Sequence, residues 1–532
     1  MGAGMGHGTW MAAAACVLAC GAAMAQDVAA PEPPPIPDRA AGDAFRAAPD
    51  PWRAYFSQAR EAERLDDPLA RCLAYPDLPG NRWPDGHAEA HCRYHAFRPL
   101  PLATVEGYLD RGELAALDAV FEALLAAHFS EAGSEEIHVA IEAFDQSEEA
   151  GRISGRWLEL APRSPYALLA RANHYKDAAW DARGGKWASE TPIEQMRRMG
   201  VLAEQAVPLF RRAIALEPRL MPAYVGLLSV AMLGSREHLE REAYRGAMAH
   251  DPACVDFARQ RMASLAPRWG GDYERMLSFG VVLSRHVARR PQLAIHIAAP
   301  YGDRGNRLSH DNRFDRETAD ILEIAVRTGS NEDHLRDAGN VFLNLPEDQG
   351  GPDRWKGVAL LLQEYRFNTT NAWAHRQIAW QLVRHEPEWA LRHALAALAL
   401  DADDASAHYL AGGGYYGSRR WEQAEVHFLR AANDATQRRG ALSALGSMWM
   451  MHAGLEATEA ATKAKPYVDR LLSEYPEEGL GWMLRILISS ALDGRTDQES
   501  VNMFRKHADR SDPVQAQAVD SIEAAYRAAE GR

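Results

Sequence analysis

The sequence predicts an all-α fold in which helical hairpins stack into a solenoid, and two observations carry this prediction. One residue pattern recurs at a spacing of 34 residues in both halves of the chain. The pairs are Phe210/Tyr244, Ala213/Ala247, Pro218/Pro252, Ala390/Ala424, Ala394/Phe428 and Ala397/Ala431. Apolar residues also recur at steps of three and four, as expected for amphipathic helices. A hairpin cannot bury its apolar face alone, so a repeated hairpin predicts a stack.

Length and composition set the limits of this fold. The 532 residues exceed what one hydrophobic core usually holds, so we expect two or three regions. Hydrophobic residues make up 47% and charged residues 25%, which is typical of a globular protein. The net charge of −14 argues against nucleic-acid binding, which needs a basic face. No apolar stretch after residue 30 is long enough to predict a membrane span in the mature protein.

The N-terminus is typical of an export signal. An apolar run (10–20) precedes Ala23-Met24-Ala25, so we expect a signal peptide over 1–25, cleaved after Ala25. Alternatively, Cys20 is lipidated and retained. The segment 26–50 is a proline-rich linker. These features predict an exported, periplasmic protein, with an outer-membrane lipoprotein as the alternative.

Three cysteines remain after such cleavage. Cys72 and Cys92 flank the proline- and glycine-rich stretch YPDLPGNRWPDG, and in an exported protein they are expected to form a disulfide. The alternative is a pair of buried thiols. Cys254 is expected to be a small buried residue.

The repeats divide the rest of the chain. Residues 51–160 are expected to be irregular at first and then helical, with an amphipathic helix pair over 102–129. The first repeat segment spans 161–295, and Ser164-Pro165 opens its first helix as a capping pair. A long insertion, AAWDARGGKWASETPIEQM, stands where a tight turn is expected. Glycines and loop dipeptides over 296–370 predict an irregular bridge. The second repeat segment spans 371–480, and capping helices are expected over 481–532.

The 34-residue period resembles the tetratricopeptide repeat (TPR), a helix–turn–helix unit. Three motifs also resemble a bacterial family known as domain of unknown function 4034: AWDARGGKW (179–187), ALEPRL (215–220) and PRWGGDYERM (267–276). This second resemblance covers about residues 105–290. It implies an α-helical, repeat-like protein and no particular reaction.

A TPR-like chain is expected to bind a protein or peptide, because such solenoids use their concave face for recognition. In the C-terminal half the repeat register places His375, Tyr409, Tyr416 and Met450 on that face. The alternative is that another helix of the same chain fills the groove. Trp180, Arg183 and Trp187 of the insertion form a second candidate contact site, or else cap the end of a helix pair.

Two further clusters carry side chains capable of chemistry. His87, His91 and His95 lie four residues apart, so in a helix one ion could reach only two of them. They are weak metal candidates; we expect no cofactor and no catalytic residue. Acidic, basic and histidine side chains also concentrate over 301–317. That segment supports an alternative function, a hydrolase or carbohydrate-active enzyme using His310, Asp311 and Asp315. A self-assembling structural protein is a third hypothesis.

Overall fold

The computed structural model describes residues 48–131, 133–234, 236–452, 454–495 and 497–530, with side chains through residue 524. The expected signal peptide (1–25), Cys20 and nearly all of the linker (26–50) lie outside these residues. The described chain contains 26 α-helices and no β-strand. It divides into two compact units, an N-terminal unit (Ala48–Thr369) and a C-terminal unit that begins at Thr370.

Seventeen helices build the N-terminal unit. They are α1 (Trp52–Ala62), α2 (Pro68–Ala74), α3 (His87–Ala96), α4 (Leu102–Asp110), α5 (Leu114–His128), α6 (Glu136–Ile141), α7 (Glu148–Leu160), α8 (Pro165–Arg183), α9 (Ile193–Leu216), α10 (Met221–Leu233), α11 (Glu237–His250), α12 (Val255–Ser264), α13 (Tyr273–Ser284), α14 (Leu293–His310), α15 (Arg316–Thr328), α16 (Glu332–Leu343) and α17 (Arg354–Phe367).

Nine helices build the C-terminal unit. They are α18 (Ala372–Leu382), α19 (Pro387–Leu400), α20 (Ala405–Gly417), α21 (Trp421–Ala431), α22 (Arg438–Met450), α23 (Ala457–Glu474), α24 (Gly479–Asp493), α25 (Gln498–His507) and α26 (Pro513–Glu530). Among the described helices of both units, none combines the length and the apolar character needed to cross a membrane.

Successive helices contact each other as hairpins within each unit, and helices two apart also touch, which is the connectivity of an α-solenoid. The period reappears in the helix positions: α10 and α12 begin at Met221 and Val255, and α19 and α21 begin at Pro387 and Trp421. The recurring alanines and aromatics are core residues, since Phe210, Ala247 and Phe428 are almost fully buried. The all-α solenoid prediction is therefore confirmed.

Local sequence explains where these helices begin. Ser164 accepts a hydrogen bond from the Ala167 amide at 3.1 Å, and Pro165 occupies the first turn of α8, as the capping pair predicts. Carboxylates cap other helices in the same way. Asp272 caps α13 and Asp404 caps α20 through their side chains.

The expected insertion, residues 178–196, is mostly helix, since its two ends belong to α8 and α9. The 19-residue α8 runs to Arg183 and the 24-residue α9 begins at Ile193, so only a short stretch between them is not helical. The two long helices pack along each other. The insertion therefore lengthens a hairpin rather than forming one large loop.

The expectation of an irregular bridge over 296–370 is corrected by the structure. Four helices, α14 to α17, cover most of this segment. Several of its glycines lie where helices cross: a Cβ on Gly305 would stand 2.5 Å from Leu322, and one on Gly357 would stand 2.6 Å from Leu343. These glycines allow close helix packing, whereas composition alone indicates a loop.

The segment before α4 is also more regular than expected, since it holds α1, α2 and α3. Cys72 and Cys92 form a disulfide that joins α2 to α3. Long-range hydrogen bonds tie the segment to α17 and α15. Tyr55 donates to the Ala359 carbonyl at 3.1 Å, and the Trp83 indole donates to the Val326 carbonyl at 2.9 Å. The N-terminal segment is thus part of the N-terminal unit.

Candidate functional site

A pocket of about 440 Å³ opens in the N-terminal unit. It is lined by side chains from α3, α12, α13, α14 and α16, so residues about 240 positions apart in sequence share it. The volume lies within the range of about 300–1,000 Å³ that is usual for ligand sites. The next pocket, in the C-terminal unit, has a volume of only about 30 Å³.

The pocket has an apolar part and a polar part. The apolar lining consists of Val255, Met262, Ala263, Ala266, Met276, Ile295 and Ala299. The polar lining consists of His91, Tyr94, His95, Asp256, Arg259, Gln292, His296, Asp303, Asn306, Asn331, Glu332, Asp333 and His334. Two methionines add adaptable, polarisable surface.

A chain of hydrogen bonds fixes the orientation of α3 in this site. His87 Nδ1 lies 2.9 Å from the Pro291 carbonyl oxygen, so this nitrogen carries the proton. Burial lowers the pKa of His87 to about 4, which leaves the ring neutral and its Nε2 an acceptor. Ser330 donates to that Nε2 from its backbone amide at 3.2 Å and from its hydroxyl at 2.8 Å.

The same chain sets the tautomer of His91. Because the Ser330 hydroxyl proton points to His87, the oxygen accepts from His91 Nδ1, which lies 2.6 Å away. Burial lowers the pKa of His91 as well, so its ring is neutral. His91 Nε2 therefore presents a lone pair towards the pocket.

Three ligand-type atoms converge at that point. Glu332 Oε1 lies 3.1 Å from His91 Nε2 and 2.5 Å from His95 Nε2, and the two Nε2 atoms are 2.9 Å apart. His91 is buried, whereas the His95 side chain is 38% exposed. The cluster therefore has one open side.

Two ion pairs balance other charges around the pocket. Arg259 donates to Asp256 Oδ1 at 2.9 Å, and the Tyr94 hydroxyl donates to the same carboxylate at 3.3 Å. Arg336 donates to Asp333 at 2.6 Å. Asp303 differs: it accepts a hydrogen bond from the Tyr273 hydroxyl at 2.9 Å, and no basic side chain of the described chain lies at ion-pair distance from it.

The remaining histidines of the pocket are neutral. Burial lowers the pKa of His296 to about 3 and that of His334 to about 4. The charges within each of the two ion pairs cancel. The carboxylates of Asp303 and Glu332 therefore give the pocket a net negative charge. Such a pocket favours a cationic group.

A second cluster of ligand-type residues is enclosed in the core. His128, Glu135, His138 and Cys254 bring one potential ligand atom each within 4.8 Å of one another. All four are buried, and His128 Nε2 lies 3.0 Å from Asp251 Oδ2. Arg290 donates to the His128 carbonyl at 2.8 Å, and both Asp251 and Glu135 lie near its guanidinium. Buried ion pairs and hydrogen bonds therefore explain why several of these side chains lie together in the core.

The C-terminal residues predicted to line a groove are mostly covered. His375 is buried beside His393, with 2.9 Å between their Nδ1 atoms. Tyr409 and Tyr416 line the small C-terminal pocket together with Phe428, whose ring centre lies 5.7 Å from that of Tyr409. Met450 is half-buried at the end of α22. Their part in partner binding stays a prediction.

The two tryptophan-containing loop motifs meet in the structure. The Trp180 and Trp269 rings are 5.3 Å apart edge to face, and the Arg183 guanidinium lies 5.3 Å from the centre of Trp269. The Trp180 indole donates to Ser229 at 2.8 Å. Trp187 is 64% exposed. Trp180 and Arg183 thus have packing roles, and the Trp187 ring is accessible for an external contact.

The polar residues of 301–317 do not assemble around one cavity. His310 is exposed and bonds the Asn306 carbonyl of its own helix, while Asp315 caps α15 by accepting from Thr318. Asp311 is exposed, and of the polar residues in this segment only Asp303 and Asn306 line the pocket. The enzyme hypothesis therefore has no enclosed site in that segment.

The sequence offered His87, His91 and His95 as weak metal candidates, but it did not indicate Glu332 as their partner. Glu332 lies far downstream at the start of α16, and nothing in its local sequence distinguishes it from other helix-initial acids. The same holds for Asp256 and Arg259. Only the packing of α3 against α12, α14 and α16 brings these residues together.

Comparisons with known proteins identify no family for this chain. No family model matches the chain, so the resemblance to domain of unknown function 4034 is unsupported. No curated protein matches it either. Three solved structures are similar: YrrB, described as a TPR protein with an unusual peptide-binding site, yeast Tom70, and the Cut9–Hcn1 hetero-tetramer of APC/C.

These likenesses are distant. The identity to YrrB is 18%, with 38% of this chain and 96% of YrrB covered and a TM-score of 0.30. For Tom70 the identity is 11%, the coverage is 80% and 95%, and the TM-score is 0.30. For Cut9–Hcn1 the identity is 9%, the coverage is 87% and 98%, and the TM-score is 0.27. The fold assignment rests on the stacked hairpins of the chain itself.

Proposed function

We propose that this protein is a non-catalytic, exported scaffold that binds a segment of another protein of the cell envelope. The observation that carries the proposal is the 440 Å³ pocket of the N-terminal unit, which opens to solvent between five helices. Its size suits one or two side chains of a peptide. Its mixed lining offers apolar contact on one part and charge on the other.

The chemistry of the lining indicates which segment would bind. Asp303 is a carboxylate without a basic partner in the described chain, and Met262 and Met276 supply apolar surface in the same pocket. A lysine or arginine next to an apolar residue would satisfy both features, because its charge would pair with Asp303 while its neighbour contacts the methionines. We therefore propose a basic–apolar segment as the ligand.

Two observations support export. The Ala23-Met24-Ala25 site follows an apolar run, and the Cys72–Cys92 disulfide is a bond that persists in oxidising compartments. A periplasmic protein is our proposal, with a lipoprotein anchored through Cys20 as the alternative. The exposed Trp187 and the residues Tyr409, Tyr416 and Met450 remain secondary contact candidates.

A random peptide library displayed against the purified full-length chain tests the binding proposal. We expect enriched peptides to share a lysine or arginine beside an apolar residue. Asp303→Asn should weaken their binding at least tenfold, since one charge-assisted contact contributes about 1.5–3 kcal/mol. Asp311→Asn is the matched control, because Asp311 is an exposed acid at the end of the same helix and lies outside the pocket.

Other outcomes would reject the proposal. Failure to enrich any peptide would remove the scaffold function for this pocket. Loss of binding in Met450→Asp with Asp303→Asn unaffected would move the site to the C-terminal unit. Enrichment of acidic peptides would contradict the charge argument.

A further inference from the structure

The cluster of His91, His95 and Glu332 contains more hydrogen-bond acceptors than protons to satisfy them. His91 Nε2 presents a lone pair, because its Nδ1 proton is directed to Ser330. Glu332 Oε1 is a carboxylate oxygen only 3.1 Å away. Two acceptors at this distance repel each other unless a positive charge or a proton lies between them.

One proton could come from His95, but it has to serve two acceptors. His95 Nε2 lies 2.5 Å from Glu332 Oε1 and 2.9 Å from His91 Nε2. A single N–H can point at only one of them with good geometry. A cation placed among the three atoms would satisfy all of them at once.

The geometry and the ligand types fit a transition metal. His91 and His95 occupy positions i and i+4 of α3, and Glu332 is at the start of α16. The three separations form a triangle small enough for one ion to lie about 2.0–2.2 Å from each atom, the Zn–N and Zn–O distances of protein sites. Two imidazoles and one carboxylate form the ligand set of several open metal sites.

The surroundings also resemble those of a metal site. The Nδ1 atom of His91 is held by Ser330, and metal-binding histidines usually have their second nitrogen fixed by such a partner. The His91 ring stacks on Phe367 at 4.2 Å between centres, which restrains its plane. His95 stands at the open side, where the pocket continues towards Asn306 and Asp333.

We propose that His91, His95 and Glu332 bind a divalent transition-metal ion such as Zn²⁺, with its remaining coordination positions facing the pocket. Those positions would accept water or a donor group of a ligand. The binding of a ligand's donor group to the metal rests on the proposed peptide binding. The metal site itself does not depend on that proposal.

Metal titration of the chelator-treated full-length protein tests the proposal. We expect one equivalent of Zn²⁺ to bind, measured by competition with a chromophoric chelator. Glu332→Gln and His95→Ala should each weaken that binding at least tenfold. Ser330→Ala should weaken it by about 10–100-fold, as is typical when the partner of a ligating histidine is removed. Circular dichroism checks that each variant is folded.

Glu89→Gln is the matched control. Glu89 lies on the same helix, is 57% exposed and pairs with Arg93, so its replacement should leave the affinity unchanged. Asp303→Asn should also keep the metal, which separates this proposal from peptide binding. Zinc binding of wild-type strength in both Glu332→Gln and His95→Ala would overturn the site.

Cobalt substitution distinguishes this cluster from the buried one. Co²⁺ bound by two imidazoles and a carboxylate has visible d–d bands but no thiolate-to-metal charge-transfer band. Appearance of that band would place the ion at Cys254 and overturn the assignment. Absence of any stoichiometric metal in the wild-type protein would do the same.

Discussion

Burial controls the charge of single histidines in this chain, and the C-terminal unit shows the effect away from any metal candidate. His408 Nε2 bonds the Ala402 carbonyl at 3.1 Å, so its Nδ1 is an acceptor. His427 Nδ1 lies 2.9 Å from that atom and donates to it. Protonation of His408 would set two donors against each other, and protonation of His427 would place a positive charge on a largely buried ring.

We therefore predict acid sensitivity that depends on His427. Burial, followed by the charges of His408 and Arg430, lowers the pKa of His427 to about 4. The unfolded chain has a histidine pKa near 6.5 and binds the proton more readily. The stabilising contribution is therefore complete above pH 6.5 and is lost as the pH falls towards 4. After allowance for the partial exposure of this side chain, the loss is about 2 kcal/mol.

Urea unfolding at pH 7.5 and pH 4.5 measures this contribution. His427→Phe keeps a ring at the position and removes the titration, so its free energy of unfolding should fall less between the two pH values than that of the wild type. The variant starts from a lower stability, because His408 Nδ1 loses its donor. Equal losses in the two proteins, with the His427 ring titrating near pH 6.5 by NMR, would contradict the prediction.

Single residues also show which parts of the histidine–glutamate cluster could be predicted from the sequence. The spacing of His87, His91 and His95 indicated only that a helix would bring neighbouring imidazoles together, and α3 contains all three. Glu332 could not be paired with them, because its position depends on the packing of α16 against α3. A ligand set formed across about 240 residues has no local sequence pattern.

At the scale of elements, the helices α14 to α17 show why composition misled the prediction for 296–370. Glycine marks loops through its conformational freedom, but it also permits close helix crossings. Gly339 and Gly357 face each other across α16 and α17, and a Cβ on either would lie 3.1 Å from the carbonyl oxygen of the other. Whether a glycine belongs to a loop or to a helix crossing depends on the neighbouring helix. The sequence of one segment does not show which helix that is.

This crossing gives a prediction about Gly357. In Gly357→Ala the new methyl group would meet Leu343 Cγ at 2.6 Å, so the helices must shift. We expect the free energy of unfolding to fall by about 1–3 kcal/mol, as for other overpacked positions. Urea unfolding followed by circular dichroism measures the change.

Gly200→Ala is the control for that experiment. Gly200 lies inside α9, and apart from its chain neighbours and the backbone of its own helix no atom of the described chain stands within 4 Å of the position that the new methyl group would take. Alanine should therefore stabilise the protein by about 0.5–1 kcal/mol through helix propensity. Opposite signs for the two substitutions would identify packing as the cause. A neutral or stabilising Gly357→Ala would show that α16 and α17 do not need this close approach.

At the scale of the whole molecule, the repeat period predicted more than the composition did. The period places the start of the second repeat segment at 371, and the C-terminal unit begins at Thr370. The first two helices of this unit, α18 and α19, form a hairpin. The N-terminal unit was harder to delimit, since α1 to α3 carry no repeat and join it through long-range contacts such as that of Tyr55 with Ala359.

The two-unit organisation predicts that the C-terminal unit folds alone. Large side chains of its helices are buried, including Trp389, Tyr415, Phe428 and Phe504. Solenoid stability is a sum of repeats and their nearest-neighbour interfaces, so four or more stacked hairpins are enough for a stable core. A fragment of residues 370–532 should give a helical circular dichroism spectrum and a cooperative urea transition.

Comparison with the full-length chain completes this test. The transition of the fragment should recur in the full-length protein, since the same core unfolds, while a second transition reports the N-terminal unit. Dithiothreitol should lower only that second transition, because the Cys72–Cys92 disulfide lies in the N-terminal unit and closes a loop whose release costs about 3 kcal/mol in the chain-entropy model. A fragment without a cooperative transition, or one sensitive to dithiothreitol, would mean that the boundary at Thr370 does not separate independent folding units.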